Sequence, residues 1–284
     1  MSKQDIELLA AYFTLSGDVY PFGPTEISTF SFADRVEAAA EAGYKGFGLI
    51  HVDLMSIVDK IGYKEMRNIL ESNGIKHVEF EFLGDWWKNG EDRRQSDKMR
   101  AELFEAAQEL GARAIKTAPG LHETEIDMPL MIDSFAQLSE EAGKNNTNIV
   151  LEIMPFSNIS TIDTALELVQ GANHSHGKLL LDIWHLARGG VDFKEISRIP
   201  SQFIGSIELD DADKYPLASL WQDTIHRRRL PGEGSLDVRG FIQAVQATGY
   251  DGPWGVEVLS EVVRKLPLDE MATRTFETTM SQFK

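Results

Sequence analysis

Along this chain short apolar runs alternate with stretches in which apolar positions recur every three or four residues. That is the pattern of buried strands alternating with amphipathic helices. Four of the runs carry one embedded acid each: residues 150–154 hold Glu152, 179–183 hold Asp182, 204–209 hold Glu208 and 254–259 hold Glu257. Further strands are predicted at 8–15, 44–51, 77–83 and 113–118. The period-two alternation of 77–83 puts Glu79 and Glu81 on one face.

Helices are expected from Phe32 to the stop at Gly43, across 63–71 before Asn73-Gly74, and across 96–110 before Gly111. Others are expected at 128–142, 162–170, 193–198, 237–248 and 268–283. Eight strand–helix units, with no Gly-rich dinucleotide fingerprint and no break in composition, predict one closed (β/α)8 TIM-barrel domain over residues 1–284. In such a barrel the chemistry sits at the C-terminal strand ends, where the embedded acids lie. Asp182 and His185 are an odd number of positions apart, so the histidine is expected in the loop beyond the strand.

Composition narrows this picture. A length of 284 residues suits a single barrel core, and a net charge of −17 opposes binding to nucleic acid or an anionic membrane. The expected partner is a small molecule, with a homo-oligomer allowed by the aromatics of the first and third loops. Without cysteine there is no disulfide, thiolate ligand or cysteine nucleophile, so any metal is held by oxygen and nitrogen. No apolar stretch matches a bilayer span or a signal-peptide core, and a cytoplasmic protein is expected.

One buried acid alone reads as a carboxylate paired with a basic neighbour. Four at matching strand ends predict a metal site of Glu152, Asp182, Glu208 and Glu257, with Asp210 or Asp211 as substitutes for Glu208. Glu81 is expected in the pocket and Glu79 in a pair with Lys116. His51 and His122 stand just past the second and fourth strands, where side chains converge. In the loop 84–92, Trp86 and Trp87 read as a sugar-stacking wall or as a packed lid, with Trp87 the candidate for substrate contact. Arg227 to Arg229 form the only basic run, with Arg228 expected to point inward and its neighbours to form salt bridges.

The segments LEIMP, LDIWH and GVEV, with the loop RRRLPGEG, resemble the sugar isomerase and epimerase family of the xylose-isomerase-like TIM-barrel superfamily, over nearly the whole chain. The resemblance implies that acids from strands five, six and eight, usually with a histidine from strand seven, hold a divalent metal. Glu208 stands at the histidine's place, giving an all-carboxylate shell that favours Mn²⁺, with Mg²⁺ or Co²⁺ possible, over zinc. The resemblance also implies that Glu152 and Glu257 are the proton-transfer pair and that His185 and Arg228 orient the substrate.

The function implied is a divalent-metal-dependent isomerase or epimerase of a ketose or related polyol ketone, working through proton abstraction next to the carbonyl and a metal-stabilised enediolate. The alternative is a lyase or dehydratase acting on a keto-inositol, a dehydroshikimate-like acid or a 3-keto glycoside. The superfamily's DNA-repair endonucleases are resembled least, and a non-catalytic sugar sensor comes last.

Overall fold

The computed structural model describes residues 6–284; the opening residues 1–5 of the expected domain lie outside the described residues. Eight parallel strands close into a barrel in chain order: Leu8–Ala10, Gly46–Ile50, His77–Leu83, Ala114–Thr117, Asn148–Glu152, Gly177–Asp182, Ile204–Leu209 and Trp254–Val256. The eighth pairs with the first, completing the ring.

Outside the ring lie α1 (Phe32–Ala42), α2 (His51–Ser72), α3 (Gly90–Leu110), α4 (Met128–Lys144), α5 (Ile162–Ala172), α6 (Ile183–Arg188), α7 (Leu220–His226), α8 (Val238–Ala247) and α9 (Leu268–Ser281). No helix among the described residues is long and apolar enough to cross a membrane.

Strand alternation divides the interior in two. Outward-facing Leu49, Phe80, Ile115, Leu151 and Leu181 join helix residues such as Val36, Leu103 and Phe135 in one buried apolar cluster. Inside the ring, Ala114, Val150 and Leu180 pack together as a plug. Two residues further along those strands the inward positions become Lys116, Glu152 and Asp182, so the plug is the floor of the polar site.

Local chemistry sets the helix ends. Ser31 accepts the Asp34 amide at the start of α1, and Gly43 ends that helix at φ 116°. Thr161 and Thr164 form a reciprocal capping box on α5. Thr161→Ala is expected to cost about 1 kcal/mol. The check is the urea midpoint, and an unmoved midpoint would show that this cap contributes nothing.

Several boundaries depart from the sequence pattern. The first strand stops at Ala10 rather than reaching Leu15, because the chain turns into a short 3-10 segment at Tyr12–Thr14. There the Tyr12 amide donates to Glu81 and the Thr14 hydroxyl to the Val256 carbonyl, drawing the chain across the barrel mouth. α2 starts at His51, well before the expected 63, and breaks at Gly62, whose φ of 73° no regular helix residue adopts. α3 begins at Gly90 rather than Ser96, Phe193–Arg198 is a 3-10 helix, and the loop after the seventh strand contains α7.

Candidate metal and active site

The strand register assembles the ring of acids. Asp182 lies opposite Glu208, Glu208 opposite Gly255, and Glu152 opposite Leu180, so Glu257 and Asp182 rise one inward position above their neighbours' partners. All four acids are buried, and oxygens of Glu152, Asp182, Glu208 and Glu257 lie within 4.8 Å of one another.

Two buried cations hold this ring. Lys116 on the fourth strand pairs with Glu208, and its Nζ stands 3.6 Å from Glu81 and 4.0 Å from Glu257. Arg228 comes from above. Its Nη1 donates to Asp182 at 2.7 Å and to Asp210 at 2.6 Å, and lies 3.1 Å from a Glu257 carboxylate oxygen. Its Nε and Nη2 donate to the Thr224 hydroxyl at 3.2 and 2.9 Å.

Backbone structure puts Arg228 there. Arg228–Arg229 pairs antiparallel with Asp211–Ala212, folding the loop back over the barrel mouth. Arg227 and Arg229 both bind Asp213, leaving Arg228 as the inward member of the run. The Asp211 carboxylate accepts the amides of Gly232, Gly234 and Leu236 at 2.9–3.0 Å, so it is a loop staple rather than a substitute ligand. Gly234 is required at this point, because a Cβ there would run into the Asp211 carboxylate and the Ala212 carbonyl.

His185 departs from its expected loop. It sits in the first turn of α6, where Asp182 accepts its amide at 2.9 Å and so serves as both ring acid and helix cap. The His185 Nε2 lies between Glu152 at 3.1 Å and Arg228 Nη2 at 3.2 Å. The contact with Glu152 is one of ion-pair distance without hydrogen-bond geometry, and an unprotonated Nε2 accepts from Arg228.

The ring suits a cation. One oxygen each of Glu152, Glu208 and Asp210 is buried with no hydrogen-bond partner among the described residues. Buried acids left in this state take up a proton or a compensating positive charge. The four ring carboxylates carry four formal negative charges, and Lys116, Arg228 and one divalent cation would balance them.

Burial pushes Glu257 up to about 8; Arg228 and Lys116 oppose the rise, while Glu81 and Glu152 add to it. Burial also raises Glu208, Asp210 and Glu81. At Asp182 burial acts in the same direction, but Arg228 and His185 win and hold the carboxyl below its ordinary range.

These shifts predict a pH dependence for chelator-treated protein. The folded state holds protons on Glu257 that the unfolded chain releases near its ordinary 4.5, so this stabilisation is complete below 4.5 and is lost as pH rises through about 8. Melting temperature is expected to fall from about pH 5 to about pH 9. A flat or rising profile across that window would count against the proton-holding ring.

Above the ring lies a cavity of about 440 Å³ whose wall includes Glu81, Glu152, His185, Arg228 and Glu257. His51 also lines it, with its Nε2 bonded to Glu102 at 2.7 Å. Trp87 and His122 lie outside the lining. Trp86 and Trp87 are buried edge-to-face, Trp86 donates to the Ala118 carbonyl, and the pair packs the loop rather than the pocket. His122 is exposed and stacks on the outer side of Phe156. The expected Glu79–Lys116 pair is replaced by Glu79 with Arg113 and Ser206, lower in the barrel.

Sequence reasoning missed Lys116 as the partner of Glu208, Asp210 as a partner of Arg228, and Phe156 and Trp221 as cavity walls. Lys116 had a readable signal: it is an inward residue of the fourth strand, opposite Val150 and one inward position below Glu152. Trp221 had none, because it reaches the pocket from α7, which lies inside an irregular loop.

Comparison with known proteins places this geometry among relatives. The 3-dehydroshikimate dehydratase of Pseudomonas putida is 28% identical over 243 residues, covering 84% of this chain and 38% of that protein. The chain thus spans less than two-fifths of the length of that relative. The inosose isomerase of Bacillus subtilis is 23% identical over 201 residues, covering 68% of this chain and 71% of that one. Among solved structures, the IOLI protein with a bound zinc atom superposes with a TM-score of 0.85 at 19% identity, covering 98% of this chain and 97% of that one. Residues 36–277 match the family described as the xylose isomerase-like TIM barrel, and with its closed eight-strand barrel the chain belongs to that family.

Proposed function

We propose that this protein is a divalent-metal-dependent isomerase or epimerase of a ketose or related polyol ketone. The observation that carries the reading is the convergence of four buried carboxylates, two with orphaned oxygens, at the floor of a cavity. Relatives named as an inosose isomerase and a dehydroshikimate dehydratase support it.

Glu152, Asp182, Glu208 and Glu257 would hold the cation, with Mn²⁺ favoured by the all-oxygen donor set and Mg²⁺ or Co²⁺ next. A divalent cation here supplies Lewis-acid stabilisation of negative charge developing on a carbonyl oxygen. The zinc in the IOLI protein supports a divalent ion in this fold, and Glu208 is this chain's reason for a harder one.

Glu152 and Glu257 stand on the fifth and eighth strands, with two strands between them along one side of the ring. Each therefore faces the cavity from a different direction. One takes a proton from the carbon beside the carbonyl and the other returns one, which gives epimerisation when the same carbon is reprotonated from its other face. Return of the proton at the adjacent carbon gives aldose–ketose isomerisation. His185 keeps Glu152 in place through Nε2, and Arg228 holds Asp182 and Glu257 while facing the substrate space. The apolar walls limit water at the reacting carbon.

The test is deuterium incorporation in D₂O by protein stripped with chelator and refilled with Mn²⁺. Metal-dependent label next to a carbonyl is expected; no stoichiometric metal binding, or label independent of metal, would overturn the reading. The lyase reading is favoured by the dehydratase relatives, and release of a leaving group with an unsaturated product would mark it.

A further inference from the structure

Resting on the reading above, the geometry points to an uncharged substrate: we propose that this cavity discriminates against ketones bearing a carboxylate or phosphate. The argument lies in how every positive charge facing the cavity is already committed.

Arg228 is the one arginine in the lining among the described residues; four of its five N–H groups have oxygen acceptors and the fifth meets His185 Nε2. They are directed at Thr224 twice, Asp182, Asp210 and His185, at distances from 2.6 to 3.2 Å. A substrate anion would have to compete with Asp210, a buried acid outside the four-carboxylate ring that would then lose its cation. His185 faces Glu152 at 3.1 Å, and His51 faces Glu102 at 2.7 Å. Lys88, near the mouth, is paired with the wall residue Glu123. Lys116 lies beneath, fully buried among Glu208, Glu81 and Glu257.

The lining carries the opposite sign in excess. Glu26, Glu81, Asp85, Glu123, Glu152 and Glu257 all contribute to it. A divalent cation on the ring offsets the ring's own acids, while Glu26 and Asp85 remain on the outer wall and Glu123 is already paired with Lys88. Between them stand Phe22, Phe156 and Trp221, which offer ring faces and one indole N–H but no cation. A phosphate or carboxylate at the far end of a ketopolyol would therefore lie against aromatic rings and carboxylates. Hydroxyl groups meet no such penalty, since each can donate to a carboxylate or lie flat over an aromatic face. Like charges brought together across a binding surface are strongly disfavoured.

The experiment uses the Mn²⁺-loaded full chain and compounds matched in shape. Exchange or turnover is followed for 2-keto-myo-inositol against 3-dehydroshikimate, and for fructose against fructose 6-phosphate. The neutral member of at least one pair is expected to exceed its charged counterpart in kcat/KM by on the order of a hundredfold. Equal or greater kcat/KM for the charged members would overturn the inference while leaving proton abstraction standing. Calorimetric titration with myo-inositol and with quinate decides the same question without turnover: heat from the neutral polyol alone supports the inference, and quinate binding as tightly as inositol rejects it. No exchange with any of the four ketones would instead strike the isomerase reading, and the calorimetry would still settle charge selection.

Discussion

Arg228→Met is expected to destabilise the protein by about 3–5 kcal/mol in the presence of chelator, because it removes the cation that holds buried Asp182 ionised and a hydrogen-bond donor from Asp210, with Glu257 beside it. Asp182, Asp210 and Glu257 all lie within 3.1 Å of the Arg228 guanidinium and are almost wholly buried. Methionine preserves much of the aliphatic volume, so the loss reports charge and hydrogen bonds more than a cavity. The expected drop in melting temperature is on the order of ten degrees. Added Mn²⁺ should recover part of it, because the cation neutralises two of the three stranded acids. A variant that melts within about two degrees of the wild type in chelator would show that the acids carry protons instead and need no arginine.

Glu152→Gln and Glu257→Gln are each expected to lower the rate of metal-dependent deuterium exchange by about 10²–10⁴-fold. The substitution keeps an oxygen toward the ring and the side-chain shape, but removes the ability to take up a proton. Because both residues also belong to the metal shell, the measurement has two parts. Mn²⁺ stoichiometry is counted first, and exchange is then compared at full occupancy. Retained metal with lost exchange assigns the proton-transfer role. Exchange within roughly threefold of wild type at either position would remove that residue from the pair.

The barrel was legible in the sequence because both periodicities are strong: strand runs such as GKLLLD and IGSIEL are largely apolar apart from Lys178, Ser206 and the inward acids. The ring acids were legible for the same reason, since an acid in an otherwise apolar strand is conspicuous. Arg228 stood out as the middle of the only basic run. What the pattern could not supply was contact between distant elements. His185 reads as a loop residue beyond the strand, yet Asp182 caps a helix there. Trp86-Trp87 reads as a sugar-stacking wall or a packed lid, and the two indoles pack the loop, that of Trp86 donating to the Ala118 carbonyl. Trp221 and Phe156 form the wall instead, brought together by a tertiary edge-to-face contact between residues 65 positions apart (221 − 156). Glu79 finds Arg113 rather than Lys116 because it lies opposite Ala114, beside the start of the fourth strand and one inward position below Glu81.

The way the last loop is pinned has a consequence for how this scaffold could change its diet. Asp211 fastens residues 232–236 from one side, and Asp213 clasps Arg227 and Arg229 from the other. The stretch between them as far as residue 222 is an excursion closed at its base, since Asp223 is tied to Arg188 and Thr224 to Arg228, and it carries Trp221 to the cavity. Such a segment behaves as an interchangeable cassette: its length and composition can drift, or be exchanged by an engineer, while Arg228 stays seated on the acids. Selectivity can then evolve at the rim without renegotiating the chemistry at the floor.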